Sequence, residues 1–257
     1  MIKTMISRRK GHLLTTSMIF VAIETVIFYI IHFSNTNPDY ILHYISVIIA
    51  VIFSWLILLA KIVTSSKEGK RFRDVIFKKD TGLLICIAML FTLVADYFLV
   101  AKEEVDNLTG VTVFLGTQLF IFLHIFVNDS SRRCRTRNII TRIVLSVVLI
   151  FVAYLILGES IDRMSVIGVI YYANLCTNAI FAHRIKGGGI ILTIGLILFA
   201  LCDINVALSA LDSIYVGGFP EGSMLYNLMH TKYDLIWIFY IPSQTLIPLS
   251  LVLSENT

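Results

Sequence analysis

Residues 81–100 read TGLLICIAMLFTLVADYFLV. Twenty consecutive residues hold a single charged side chain, Asp96. At about 1.5 Å of rise per residue the run is about 30 Å long, which matches the hydrocarbon core of a bilayer. A water-soluble helix of that length would keep a polar face. This one has none, so it is read as a membrane span, and Asp96 as a group the surrounding lipid should disfavour.

The pattern recurs on both sides of this stretch. Apolar runs of spanning length are expected at 13–33, 40–63, 81–100, 109–127, 138–157, 164–182, 189–211 and 233–253. The whole chain of 257 residues is 57% hydrophobic and 15% charged, against roughly 45–50% and about 25% in an average soluble domain. That excludes a disordered, collagen-like or nucleic-acid-binding chain, and the net charge of +4 speaks to topology instead. Alternate gaps collect the basic residues. One side takes seventeen: Lys3, Arg8, Arg9 and Lys10, then Lys61, Lys67, Lys70, Arg71, Arg73, Lys78 and Lys79, then Arg132, Arg133, Arg135 and Arg137, then Arg184 and Lys186. The other side takes Lys102, Arg163 and Lys232, and Arg142 falls just inside the fifth span. Lys and Arg in short loops favour the cytoplasm. The expected fold class is therefore all-α, a polytopic transmembrane bundle of eight helices with both termini cytoplasmic, forming one integral membrane domain over 1–257.

The first run follows a basic segment as a signal peptide would, but it is long, carries Glu24 at its centre and lacks a small-residue cleavage site, so it is taken as a span. The widest gap, 212–232, contains Gly217, Gly218, Pro220 and Gly222 and suits an irregular turn or partial lid, or a plain connector. The four cysteines, Cys86, Cys134, Cys176 and Cys202, form no CxxC or zinc-type spacing. No metal site or cofactor is expected, and no GxSxG elbow, phosphate-binding loop or dinucleotide fingerprint is present.

An ionisable group within hydrocarbon costs about 2.5 to 3.5 kcal/mol even on the lenient insertion scale, which makes each one a candidate functional residue. These are Glu24, Asp96, His124 and Asp203, joined by the neutral Gln118, Asn174, Asn178, Asn205 and Gln244. Asp96 and Asp203 each lie fourteen residues after a glycine, Gly82 and Gly189, at the start of spans that run the same way. Both then sit roughly 21 Å along their helices, at one level. If they share a dry pocket, burial and mutual repulsion favour one neutral acid beside one carboxylate, an acid and base pair. Alternatively each is satisfied separately by an Asn, a Tyr or a backbone group. Tyr240 and Gln244, four apart around Pro242, share a helix face and could line the same pocket, or Gln244 could make a packing hydrogen bond. His124 falls several turns deeper, as a packing or interface residue or a substrate contact. Glu24 could pair with His124, support the pocket or relay protons.

With these residues in place a resemblance is visible. LFTLVADYFL (90–99) and GTQLFIFLH (116–124) are similar to FSLxGDxxL and GxxxFxxxH of the YhhN-like family of eight-span membrane proteins. GLILFALCDINVA (195–207) and YIPSQ (240–244) resemble its GxxLFxxSDxxLA and YxxxQ motifs. The matches keep the family's order over about the second two-thirds of the chain. Ala95 stands for the glycine before the first aspartate, Cys202 for the serine before the second, and Val127 for a common tyrosine. The resemblance implies lysoplasmalogenase activity, hydrolysis of the vinyl ether of a lysophospholipid to a fatty aldehyde, without metal or cofactor. It implies Asp96 and Asp203 as the catalytic pair and Tyr240, Gln244, Asn205 and His124 as substrate contacts. A proton-coupled or small-solute transporter, or a noncatalytic lipid-binding relative, is the alternative; no inverted repeat is evident. The charge asymmetry suits a bacterial cytoplasmic membrane and equally an internal eukaryotic one.

Overall fold

The computed structural model describes residues 2–33, 40–67, 82–102, 104–214, 220–229, 231 and 234–253. The described residues are overwhelmingly helical and contain no strand. Eight helices are long and apolar enough to cross a membrane: α1 (Ile2–Phe33), α2 (Tyr40–Lys67), α3 (Leu83–Asp96), α4 (Asn107–Asn128), α5 (Arg132–Leu157), α6 (Arg163–Ala182), α7 (Gly189–Ile214) and α8 (Leu235–Leu253). α3 reaches spanning length through the wide π-helical turn Tyr97–Ala101 that continues it.

Several helices outrun their apolar stretches. α1 begins at Ile2 instead of 13, and α5 begins at Arg132 instead of 138. Arg132, Arg133, Arg135 and Arg137 thus occupy the first turns of α5 and not a connecting gap, and Lys61 lies buried within α2. Lys and Arg are good helix formers with long apolar stems, so a helix need not stop where hydrophobicity stops. Lys70, Arg71, Arg73, Lys78 and Lys79 lie outside the described residues, as do Gly217, Gly218 and Lys232. In the described part of 212–232 the chain forms a short helix, Met224–Met229.

Helix starts are specified locally. Asp106 accepts from Thr109 N–H at 3.0 Å at the head of α4, and Ser131 Oγ caps α5 through Cys134 N–H. Asp162 Oδ1 accepts from both the N–H (2.8 Å) and the Oγ–H (2.5 Å) of Ser165 at the head of α6. These bonds stabilise the Asp162 carboxylate and hold it below the usual range. With the folded value depressed, the cap contributes fully above about pH 4 and loses its contribution as pH falls through the lower folded value. Asp162→Ala should lower the thermal midpoint at neutral pH and flatten the acid limb of midpoint against pH; equal acid limbs would contradict this.

Packing defines a closed ring. α2, α3, α4, α6, α7 and α8 lie side by side in that order, and α8 returns to α2; α1 packs outside against α2 and α8, and α5 outside against α6. Ile57, Ile85, Ile121, Leu175, Leu196 and Ile247, one from each ring helix, are essentially inaccessible. Lipid is as apolar as these side chains, so what holds the ring is close packing more than escape from water. Small residues let backbones approach. Gly82 adopts φ 83° before α3, and a Cβ there would come within 2.6 Å of Leu251 on α8.

The ring is built twice from one plan. α1–α2, α2–α3 and α3–α4 pack as α5–α6, α6–α7 and α7–α8 do, and the contact of α2 with α8 mirrors that of α6 with α4. Burial follows the same register. Ile85, Ala88, Met89 and Ala95 of α3 correspond to Leu192, Gly195, Leu196 and Cys202 of α7, all buried. Phe114, Thr117, Gln118, Ile121, His124 and Ile125 of α4 correspond one for one to Tyr240, Ser243, Gln244, Ile247, Ser250 and Leu251 of α8, all buried. The buried positions thus relate α3 to α7 and α4 to α8 in sequence register.

Candidate active site

The correspondence places Asp96 and Asp203 at equivalent positions of α3 and α7. Asp96 is 4% exposed and ends the α-helical part of α3. Beyond it the backbone widens, with Lys102 N–H donating to Tyr97 O at 2.9 Å. Such wide turns are rare and cluster at functional positions. Asp203 is partly buried in α7.

Each carboxylate holds a tyrosine. Tyr240 Oη on α8 donates to Asp96 Oδ2 at 2.5 Å, and Tyr171 Oη on α6 donates to Asp203 Oδ2 at 2.6 Å. Asp96, Asp203, Tyr171 and Cys202 lie within electrostatic reach of one another. Each acid thus has a tyrosine of its own, Tyr240 for Asp96 and Tyr171 for Asp203. Tyr44 of α2 stands near Asp96 and donates to Leu93 O at 3.4 Å.

Aromatic rings tie the two tyrosines together. Tyr171 meets Phe114 at 5.7 Å between centroids, Phe114 meets Phe199 at 5.6 Å, and Phe199 meets Tyr240 at 5.5 Å. Trp237 meets Tyr240 edge-on at 5.4 Å and lies tilted against His43 at 3.9 Å. Phe199 is one turn before Asp203, and Thr92, paired with Thr117 at 3.3 Å, is one turn before Asp96. These side chains fix the tyrosines through packing and keep the carboxylates in a mostly apolar setting.

A second polar layer follows in the direction of the basic chain segments. Asn178 donates to the Gln118 backbone O and to Oε1, at 2.9 and 3.0 Å. Gln244 donates to Ser243 Oγ at 3.3 Å. Gln118 Nε2 and Gln244 Oε1, at corresponding positions of α4 and α8, are buried and have no hydrogen-bond partner among the described residues. A buried donor and a buried acceptor left open are costly in a closed core and suited to a polar ligand or water.

The other expected contacts lie elsewhere. Asn205 is two residues past Asp203, about 200° around the helix, and its Nδ2 donates to Leu201 O at 2.7 Å. His124 lies near the end of α4, where Asn128 is its hydrogen-bond partner and Lys61 its charged neighbour. Glu24 accepts from Ser46 Oγ at 2.5 Å and does not pair with His124, because α1 packs outside the ring against α2 and α8 while His124 is on α4. Sequence reasoning missed Tyr171. It is one of several polar residues on α6, and only the crossing of α6 with α7 selects it. Among the described residues no three His, Cys, Asp or Glu side chains are grouped as metal ligands would be.

No curated protein and no solved structure matches the chain. The model of the YhhN family matches residues 72–251, a stretch that includes both aspartates, both tyrosines and both glutamines of the cluster. Covering well over half of the sequence, that match shows the chain to be a member of the YhhN family.

Proposed function

We propose that the protein is a membrane-embedded hydrolase that cleaves the vinyl ether bond of lysoplasmalogen-like lysophospholipids. The observation that carries this reading is that Asp96 and Asp203, on separate spans and within electrostatic reach of each other, each accept a tyrosine hydroxyl. The substrate class is the one that the resemblance of its motifs to the YhhN-like family implies.

An enol ether is cleaved by acid. One carboxylic acid delivers its proton to the β-carbon, the double-bond electrons form the new C–H bond, and the positive charge comes to rest on the ether carbon and its oxygen. The other carboxylate faces that oxocarbenium ion and takes a proton from the water that adds to it, as paired carboxyl groups do at glycosidic bonds. The hemiacetal then loses its hydroxyl proton as the C–O bond breaks. The glycerol oxygen leaves with a proton, and the fatty aldehyde keeps the oxygen of water. Each tyrosine bond occupies one carboxyl oxygen and leaves the other for this chemistry. Gln118 and Gln244 present an open donor and an open acceptor to the hydroxyl-bearing part of the substrate.

The test is aldehyde release by detergent-purified protein from a lysoplasmalogen and from its saturated alkyl-ether analogue. Only the vinyl ether should react, and in heavy water the aldehyde should carry one deuterium on the carbon beside the carbonyl. Solute flux across proteoliposomes with no aldehyde formed would replace this reading with transport. Removing one hydroxyl that bonds a charged group costs about 1.5 to 3 kcal/mol. Tyr171→Phe and Tyr240→Phe should therefore each lower kcat/KM by about 10- to 100-fold, and unchanged rates in both would detach the tyrosines from the reaction.

A further inference from the structure

Arg142 lies ten residues into α5 from Arg132, about 15 Å along the helix axis, beside the lipid-facing Ile139, Ile140 and Ile143. Its guanidinium donates to Asn174 and Asn178 of α6 and to Asn138 of its own helix, and it lies over the Phe122 ring of α4 at 4.3 Å. These partners orient the group and satisfy three of its five N–H donors, but all are neutral. Among the described residues the buried Nε has no partner and no carboxylate pairs with the guanidinium. Asp129, which precedes α5, is engaged by Arg184 at 2.9 Å.

A cation fixed in an apolar surrounding by amide oxygens alone retains most of its desolvation cost, which an anion would remove. Planar guanidinium groups suit phosphate, with its several acceptor oxygens, and phosphate is the anionic group that a bilayer supplies beside exposed aliphatic side chains. We propose that the corner formed by α4, α5 and α6 is a phosphate-binding site in which Arg142 takes the phosphate group of a phospholipid drawn in from the bilayer. This site takes no part in the steps proposed above, although Asn178 joins Arg142 to Gln118. It borders the candidate active site, because Tyr171, Asn174 and Asn178 lie within two turns on one side of α6.

The experiment compares wild-type protein with Arg142→Gln and Arg142→Lys after delipidation in a neutral detergent. Thermal midpoints are read with added phosphatidylcholine, phosphatidylglycerol, diacylglycerol or inorganic phosphate, and native mass spectrometry reads retained lipid. Both phospholipids should raise the wild-type midpoint by several degrees and leave one retained molecule, whereas diacylglycerol, which lacks the phosphate, should not. Arg142→Gln should lose the phospholipid response and Arg142→Lys should keep part of it. A shift produced equally by inorganic phosphate would keep the site and change the source of its anion. Equal responses in wild type and Arg142→Gln, or a wild-type response to diacylglycerol as large as to phospholipid, would overturn the proposal and leave the guanidinium as a tie between helices. The phospholipid and diacylglycerol comparison on wild type stands even if Arg142→Gln does not accumulate.

Discussion

Asp96→Asn and Asp203→Asn are each expected to lower aldehyde release from a lysoplasmalogen by about 10²- to 10⁴-fold, the usual worth of a positioned acid or base. Asparagine keeps the size of the side chain and an oxygen that accepts from Tyr240 or Tyr171, so the cluster should stay assembled. What it cannot do is deliver a proton to carbon or take one from water. Because the two acids act in one sequence of steps, the double variant should be little slower than the worse single variant. Removing a charge from the membrane interior should not weaken folding, so thermal midpoints should stay level or rise. The proposed mechanism fails if both single variants turn over substrate at the wild-type rate.

The second large effect concerns assembly. A Cβ on Gly188 would lie 1.9 Å from the backbone oxygen of Ser250 and 2.7 Å from its carbonyl carbon. The obstacle is the main chain of α8, which no rotamer change relieves. Gly188→Ala must therefore push the start of α7 away from the end of α8, across the most extensive helix contact in the bundle. Those two helices carry Asp203 and Tyr240. Overpacking costs typically 1–3 kcal/mol where side chains can shift, and here about 3 kcal/mol or more is expected, read as a thermal midpoint lower by many degrees together with loss of turnover. Gly168 is the control. A Cβ there meets nothing within 4 Å, and alanine suits a helix better than glycine by about 1 kcal/mol, so Gly168→Ala should be neutral or mildly stabilising.

What could be read from the amino acids alone follows from which forces act along the chain and which act across it. Span number rests on length and hydropathy, local properties, and the eight runs stand where the helices are. A glycine followed at fixed distance by an acid measures height on a helix of constant rise, which is why the sequence suggests one level for Asp96 and Asp203. Rotation is another matter. Nothing local says which side of α6 meets α7, so Tyr171 was indistinguishable from Tyr172, and Asn205 looked as close to the acids as its number suggests. The repeat was hidden for a related reason. FLGTQ (114–118) and YIPSQ (240–244) share one identical residue, and their kinship lies in which positions are buried. Arg142 stands just inside the apolar run at 138–157 but ten residues into α5, which begins six residues earlier than that run.

The duplicated plan of the bundle bears on the chemistry in one more way. An approximate dyad that exchanges α3–α4 with α7–α8 would offer both acids identical surroundings, and identical partners have no reason to differ in which gives up a proton. Where Tyr240 supplies a hydroxyl to Asp96, the counterpart on α4 is Phe114, which has none, and Asp203 turns to Tyr171 on another helix instead. The broken equivalence at this pair of side chains is what would let the two carboxyl groups take the unlike parts proposed for them.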